Sequence, residues 1–117
     1  MERVFVLLKR RKDLSFEQFR QHYESSHAKL GEKYFGHLFA SYHRNYIPAG
    51  TRLSDGGQVE NAYDCLTELV FRDADGYAEL KRIAGDPEVR RTLIEDEERF
   101  LDRDACANAI SQLITSG

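Results

Sequence analysis

The stretch Val4-Phe5-Val6-Leu7-Leu8-Lys9-Arg10, followed by Arg11-Lys12-Asp13 and then Leu14-Ser15-Phe16-Glu17-Gln18-Phe19, decides how the rest of the chain is read. Its first half is apolar, holds β-branched residues and has no helical period, which predicts a buried strand over residues 4–10. Its second half carries the chemistry of a helix start. Ser15 with Gln18 three residues on makes a capping box, in which each side chain reaches the other's backbone N–H. Leu14 and Phe19 have the spacing of a hydrophobic staple around that cap. A strand that passes through a short polar turn into a capped helix is the opening half of a βαβ unit.

Working outward, the helix is expected from Phe16 to about Phe35, where Gly36 ends it. At about 100° per residue, Phe16, Phe19, Tyr23, Leu30 and Tyr34 share one face, with His27 inside that face and His22 well off it. Leu38 to Ile47 reads as a second strand closed by Pro48. Its alternation puts Leu38, Ala40, Tyr42, Arg44 and Tyr46 on one side, and Phe39, Ser41, His43 and Asn45 on the other. Residues 49–61 have turn composition and no period, the signature of a functional or mobile loop. Tyr63 to Phe71 is a third strand. Asp73 or Asp75 caps a helical stretch with Tyr77, Leu80 and Ala84. Gly85-Asp86-Pro87 restarts it, with Asp86 as N-cap and Pro87 at the first helical position. The restarted helix carries Val89, Leu93 and Phe100, and a weak last strand is expected over 105–113. The order βαββαβ is that of an α+β, ferredoxin-like unit: an antiparallel four-stranded sheet with both helices on one face. It occupies the whole chain, 1–117, as one domain.

Composition agrees. The 117 residues carry 17 Lys and Arg against 20 Asp and Glu, a formal charge of −3, without the basic stripe of a nucleic-acid binder. A 41% hydrophobic content with seven Phe and six Tyr supplies a core and excludes wholesale disorder. The longest apolar run, Val4 to Leu8, falls far short of a membrane span or a signal core. Cys65 and Cys106 have no metal or redox spacing, so a reducing cytoplasm is expected. One further point concerns the first strand: Val4, Val6 and Leu8 alternate with Phe5 and Leu7, so both its faces are apolar. One takes the helices, and a homodimer packed sheet to sheet is the simplest cover for the other.

Several stretches resemble the EthD-like proteins when taken in order: Asp13-Leu14-Ser15-Phe16-Glu17-Gln18-Phe19-Arg20, His22-Tyr23, Ser26-His27-Ala28, Tyr42-His43-Arg44-Asn45, Tyr63-Asp64, Glu68-Leu69-Val70-Phe71, Glu95-Asp96-Glu97 and Phe100-Leu101. The resemblance spans about residues 4–103. It implies a dimeric α/β barrel, two ferredoxin-like subunits joined through their sheets, with a small-molecule cavity between helices and sheet in each. The wider superfamily holds cofactor-independent monooxygenases, cyclases, dehydratases, decarboxylases and isomerases, and haem-degrading enzymes. It therefore constrains the fold more tightly than the reaction.

His27 is the leading candidate for chemistry. An imidazole on an aromatic helix face stands where a cavity is expected and can take and return a proton near neutral pH. The same position also suits a core histidine bonded to a backbone carbonyl. The resemblance adds weight to the first reading, since relatives carry a matching histidine. Tyr42 is the second candidate, either donating to a developing enolate or packing as a sheet aromatic. Relatives resembling muconolactone isomerases place a tyrosine there too, but also use a histidine after the second strand, and this chain has none between Ile47 and Asn61. Tyr23, Tyr34, Leu69 and Phe71 are expected to line the apolar pocket, with the 48–61 loop as lid. Glu68 is expected to face the dimer barrel and pair with a basic residue across the interface.

Other signals point to ordinary roles. His22 and His27 are five apart and do not share a face of a regular helix, so no metal and no cofactor is expected. Cys65 in a strand interior reads as inert packing. Lys9-Arg10-Arg11-Lys12 reads as a solvated turn or an attractor of anions, and Glu95-Asp96-Glu97-Glu98 as a charged surface. These features suggest a cofactor-independent lyase or isomerase acting on a cyclic or aromatic carbonyl compound. The second class is a dimeric binding or accessory module for a degradation pathway.

Overall fold

The computed structural model of the protein describes residues 2–117. Its elements run β1 (Arg3–Leu8), α1 (Phe16–His22), a π-helical turn (Tyr23–His27), α2 (Ala28–Phe35), β2 (Phe39–Tyr46), a small hairpin of β3 (Gly50–Thr51) and β4 (Gln58–Val59), β5 (Cys65–Phe71), α3 (Gly76–Ala84), α4 (Pro87–Glu98) and β6 (Ala107–Ser111). The capping box forms as the side-chain chemistry requires: Ser15 Oγ accepts from the Gln18 N–H at 3.1 Å, and Gln18 Oε1 from the Ser15 N–H at 2.9 Å. Asp86 caps α4 through the N–H groups of Glu88 and Val89, with Pro87 in its first turn. Asp75 stands at the N-cap of α3 without a side-chain bond.

The main sheet has the order β2-β5-β1-β6, antiparallel throughout, which is the ferredoxin-like arrangement. Register pairs Val4 with Leu69, Val6 with Thr67 and Leu8 with Cys65, so these six side chains share one face. The helices close that face with two buried clusters. Phe19, Tyr23, Ala28 and Phe100 pack on Leu8 and Cys65, and Phe35, Phe39 and Phe71 pack on Val4 and Leu69. Phe71 is fully buried and presses on Gly76, where a Cβ would come within 2.7 Å of its ring. The opposite face carries Phe5, Leu7 and Leu66, half-buried and outside both clusters. Glu68, on this face, finds its basic partner within the same chain: Arg3 at 2.5 Å.

Two irregularities correct the expected faces. The helix is continuous from Phe16 to Phe35, but the π turn inserts an extra residue into its period. Beyond it the inward residues are Ala28, Gly31 and Phe35, each one position on from where a regular helix would put the face that includes Leu30 and Tyr34. In β2 a bulge between Phe39 and Ser41 lets Phe39 and Tyr42 face the helices, and Ala40 is exposed.

The basic run after β1 is structural. Lys9 Nζ donates to Asn61 O at 2.8 Å, the Arg10 guanidinium donates to Leu14 O, and Arg11 donates to the Glu98 and Arg99 carbonyls at the end of α4. No helix among the described residues is long and apolar enough to cross a membrane.

Candidate active site

Between the helices and the sheet lies a cavity of about 370 Å³. Its walls are apolar, with Val6, Leu69, Phe35, Phe39 and Leu80 among them, and two groups of polar side chains adjoin it, meeting where the Tyr23 and His27 ring centres lie 6.0 Å apart.

The helix-side group centres on Asp96. This residue was expected at the surface as part of an acidic run; its side chain is only 2% exposed. Along α4 the inward residues are Val89, Leu93 and then Phe100 just beyond its end, and position 96 falls in that helical stripe. An acidic residue on an apolar stripe was therefore a readable signal. Asp96 Oδ2 accepts from His27 Nδ1 at 2.9 Å, and Oδ1 from Ser26 Oγ at 2.8 Å and His22 Nε2 at 3.1 Å. Arg99 adds a longer contact at 3.4 Å.

The π turn makes this convergence possible. In a regular helix, residues five apart lie about 140° apart around the axis. Here the Ala28 N–H bonds to Tyr23 O, closing a wider turn that carries His22 and His27 to one side. The expectation that these histidines stand on different faces is overturned: both meet one carboxylate.

Burial works to raise the Asp96 carboxyl. The hydrogen bonds from Ser26 and His27, with the nearby histidine rings, outweigh it and hold the carboxyl below its ordinary range. An ionised carboxylate only accepts, so the His27 nitrogen facing it carries the hydrogen. The neutral ring then presents an unprotonated Nε2. His27 and Glu97 both line the cavity, and Glu97 Oε2 lies 3.9 Å from His27 Nε2. Glu97 is in turn held by Arg103 Nε at 3.0 Å.

The sheet-side group is uncharged. Tyr23 Oη lies 2.6 Å from Thr67 Oγ1 and 3.1 Å from Tyr42 Oη. Tyr23 and Thr67 are almost wholly buried, and all three residues line the cavity. Burial raises the Tyr42 phenol to about 12, against the opposing pull of Tyr23's hydrogen bond and the Arg44 charge. Burial likewise drives the Tyr23 phenol upward. Both are thus neutral donors at physiological pH. Cys65, beside Thr67, is pushed up to about 11 by burial, which leaves it a protonated thiol.

Of the expected site residues, His27, Tyr42, Tyr23 and Leu69 line one cavity. Tyr34 and Phe71 do not. The π turn carries Tyr34 out of the cavity lining, to pack half-buried on the second cluster beside Phe35, and Phe71 is sealed beneath Phe39 and Tyr77. The 48–61 segment folds into the β3–β4 hairpin and contributes nothing to the cavity lining, so the lid expectation has no contact to support it. Glu97, Arg103 and Asn108 line it without having been singled out. Among the described residues, no group of three or more His, Cys, Asp or Glu side chains is placed to hold a metal ion.

Fold and cavity together define a ferredoxin-like α+β protein with a cavity between helices and sheet. The EthD domain family matches residues 11–104, and the chain belongs to that family. Among solved structures, it is similar to the crystal structure of At3g17210 from Arabidopsis thaliana, with a TM-score of 0.60 at 14% identity, covering 100% of this chain and 99% of that one. The solution structure of the same Arabidopsis protein, described as hypothetical, gives a TM-score of 0.58 at 14% identity, covering 99% of this chain and 90% of that one. At that identity the likeness speaks to the fold alone. No curated protein matches the chain.

Proposed function

We propose that this protein is a cofactor-independent lyase or isomerase that moves a proton next to the carbonyl of a cyclic or aromatic small molecule. The observation that carries the reading is the 2.9 Å bond from His27 Nδ1 to the buried Asp96 carboxylate, which in the neutral ring leaves Nε2 as the acceptor on the cavity side. His27 Nε2 takes the α-proton, and the Tyr42 hydroxyl donates to the oxygen as it becomes an enolate. The imidazolium then returns the proton to another carbon, in an isomerisation, or to a leaving group, in an elimination. Asp96 orients the ring and stabilises the charge it acquires.

The test is wash-out of α-protons from a panel of cyclic and aryl ketones and lactones in D2O, followed by NMR. The wild type should exchange at least one panel member, and folded His27→Gln should lose about 10²–10⁴-fold of that rate. Full exchange by the variant overturns the reading.

The active unit in this proposal is a homodimer joined through the sheet faces, supported by the half-buried Phe5, Leu7 and Leu66 outside the core clusters. Light scattering should give twice the chain mass, reduced to one chain mass by Leu66→Asp. The two free thiols suit a reducing cytoplasm.

A further inference from the structure

We infer that the sheet-side end of the cavity is an oxyanion site for the single ionised oxygen of an enolate or phenolate, with Tyr42 as the contacting donor and Tyr23 as the residue that positions and polarises it. The inference rests on the cavity of the proposed function but not on His27. Its basis is a count of hydrogens. Each hydroxyl in the row Thr67–Tyr23–Tyr42 has one hydrogen to give. Tyr23 lies between two oxygens, at 2.6 and 3.1 Å, so it donates to one and accepts from the other. When it donates to Tyr42, the Tyr42 hydrogen is released from the row. Among the described residues Tyr42 Oη has no other partner, and it lines the cavity.

A hydroxyl that accepts one hydrogen bond becomes a stronger donor in the next, so a row that starts at buried Thr67 delivers its effect at Tyr42. Two surroundings suit an anionic oxygen there, one by charge, offset in part by Glu24, and one by space. The Arg44 guanidinium lies 4.8 Å from the Tyr42 ring centre, fixed by two bonds to Glu24 at 2.8 and 2.6 Å. On the helix side stands Gly31, where even a Cβ would come within 3.4 Å of Tyr42 Oη. Its absence leaves room beside the hydroxyl. The row offers one O–H, a match for a single oxygen rather than for a carboxylate, which prefers a forked pair of donors. The surrounding Phe35, Phe39 and Leu69 suit the ring that an enolate or phenolate belongs to.

The probe is 4-nitrophenol, whose colour reports its ionisation. Bound to the wild type it should be ionised at a pH where the free probe is mostly neutral, with phenolate preferred over phenol about tenfold or more. Tyr42→Phe should remove that preference. Tyr23→Phe should lower it roughly five- to tenfold, the effect of one neutral hydrogen bond, and should add nothing in a Tyr42→Phe background. Should Tyr23→Phe fail to fold, replacing all tyrosines by the more acidic 3-fluorotyrosine should raise the preference, but leave it unchanged in Tyr42→Phe.

A neutral bound probe, no binding in the cavity, or independent additive effects of the two tyrosines overturns the inference. Its failure is separable from that of the acid–base reading. A neutral bound probe alongside His27-dependent proton exchange sinks the oxyanion site, and with it the donor role of Tyr42, but leaves His27 as the base. An ionised bound probe with unimpaired exchange in His27→Gln sinks only the catalytic role of His27.

Discussion

At the helix-side end of the cavity, three donors from one helix converge on a single carboxylate of another; at the sheet-side end, three hydroxyls from three elements pass one bond along a row. A carboxylate accepts several hydrogens and donates none, so it dictates which atom of each neighbour bears a proton. A hydroxyl gives one and takes others, so a row of them can run in either direction. The first end is fixed and directional, as a base must be. The second can adapt to an oxygen whose charge changes during a reaction. The Asp96 charge sits where a helix pair can surround it, and the row of hydroxyls that reaches the sheet is neutral.

That contrast can be broken most decisively at Asp96. Asp96→Ala leaves His22, Ser26 and His27 facing each other without their common acceptor, and should cost about 3–5 kcal/mol in urea denaturation. A loss under 1 kcal/mol would mean the cluster is incidental. A second test uses acid. The Asp96 carboxyl is held below its ordinary value in the folded state. Its contribution is therefore complete above the unfolded-state pKa of about 4 and is lost as pH falls through the folded value beneath it. The Asp96→Asn protein should show a shallower fall in unfolding free energy over that acid window. Identical slopes would remove the carboxylate from the account. The smallest effect belongs to the sheet-side row: Thr67→Val keeps the shape, loses one neutral bond, and should cost about 1 kcal/mol. That cost should not vary with pH from acid to neutral, and a pH-dependent cost would show that the two ends are not chemically separate.

Much of the fold was legible because its signals are local. The capping box at Ser15, the Asp86-Pro87 restart and the alternation in β1 each fix an element from a few neighbouring side chains. The strand order follows from how such elements connect. Of the cavity lining, Tyr23, His27, Tyr42 and Leu69 were legible, because the inward faces that carry them can be read from the apolar residues around each one. Tyr34 was misplaced because nothing in Tyr23-Glu24-Ser25-Ser26-His27 announces a wide turn, which exists to satisfy contacts made by distant Asp96 and Thr67. Asp96 was hidden by its company: among Glu95, Glu97 and Glu98 its charge reads as solvated, and only the stripe of Val89, Leu93 and Phe100 sets it apart.

The wide turn also separates chain length from side-chain placement. One residue in Tyr23–His27 is surplus to a regular helix, and the turn absorbs it, so everything from Ala28 to Phe35 keeps the rotation relative to α1 that a helix one residue shorter would have. Deleting one residue there, for instance exposed Ser25, would let the helix close regularly and still point Gly31 and Phe35 at the cavity. Forcing a regular helix on the full-length segment would instead turn both away by about 100°, and the pocket would lose its wall. In a family alignment, a one-residue gap between Tyr23 and Gly31 is therefore compatible with the same cavity wall.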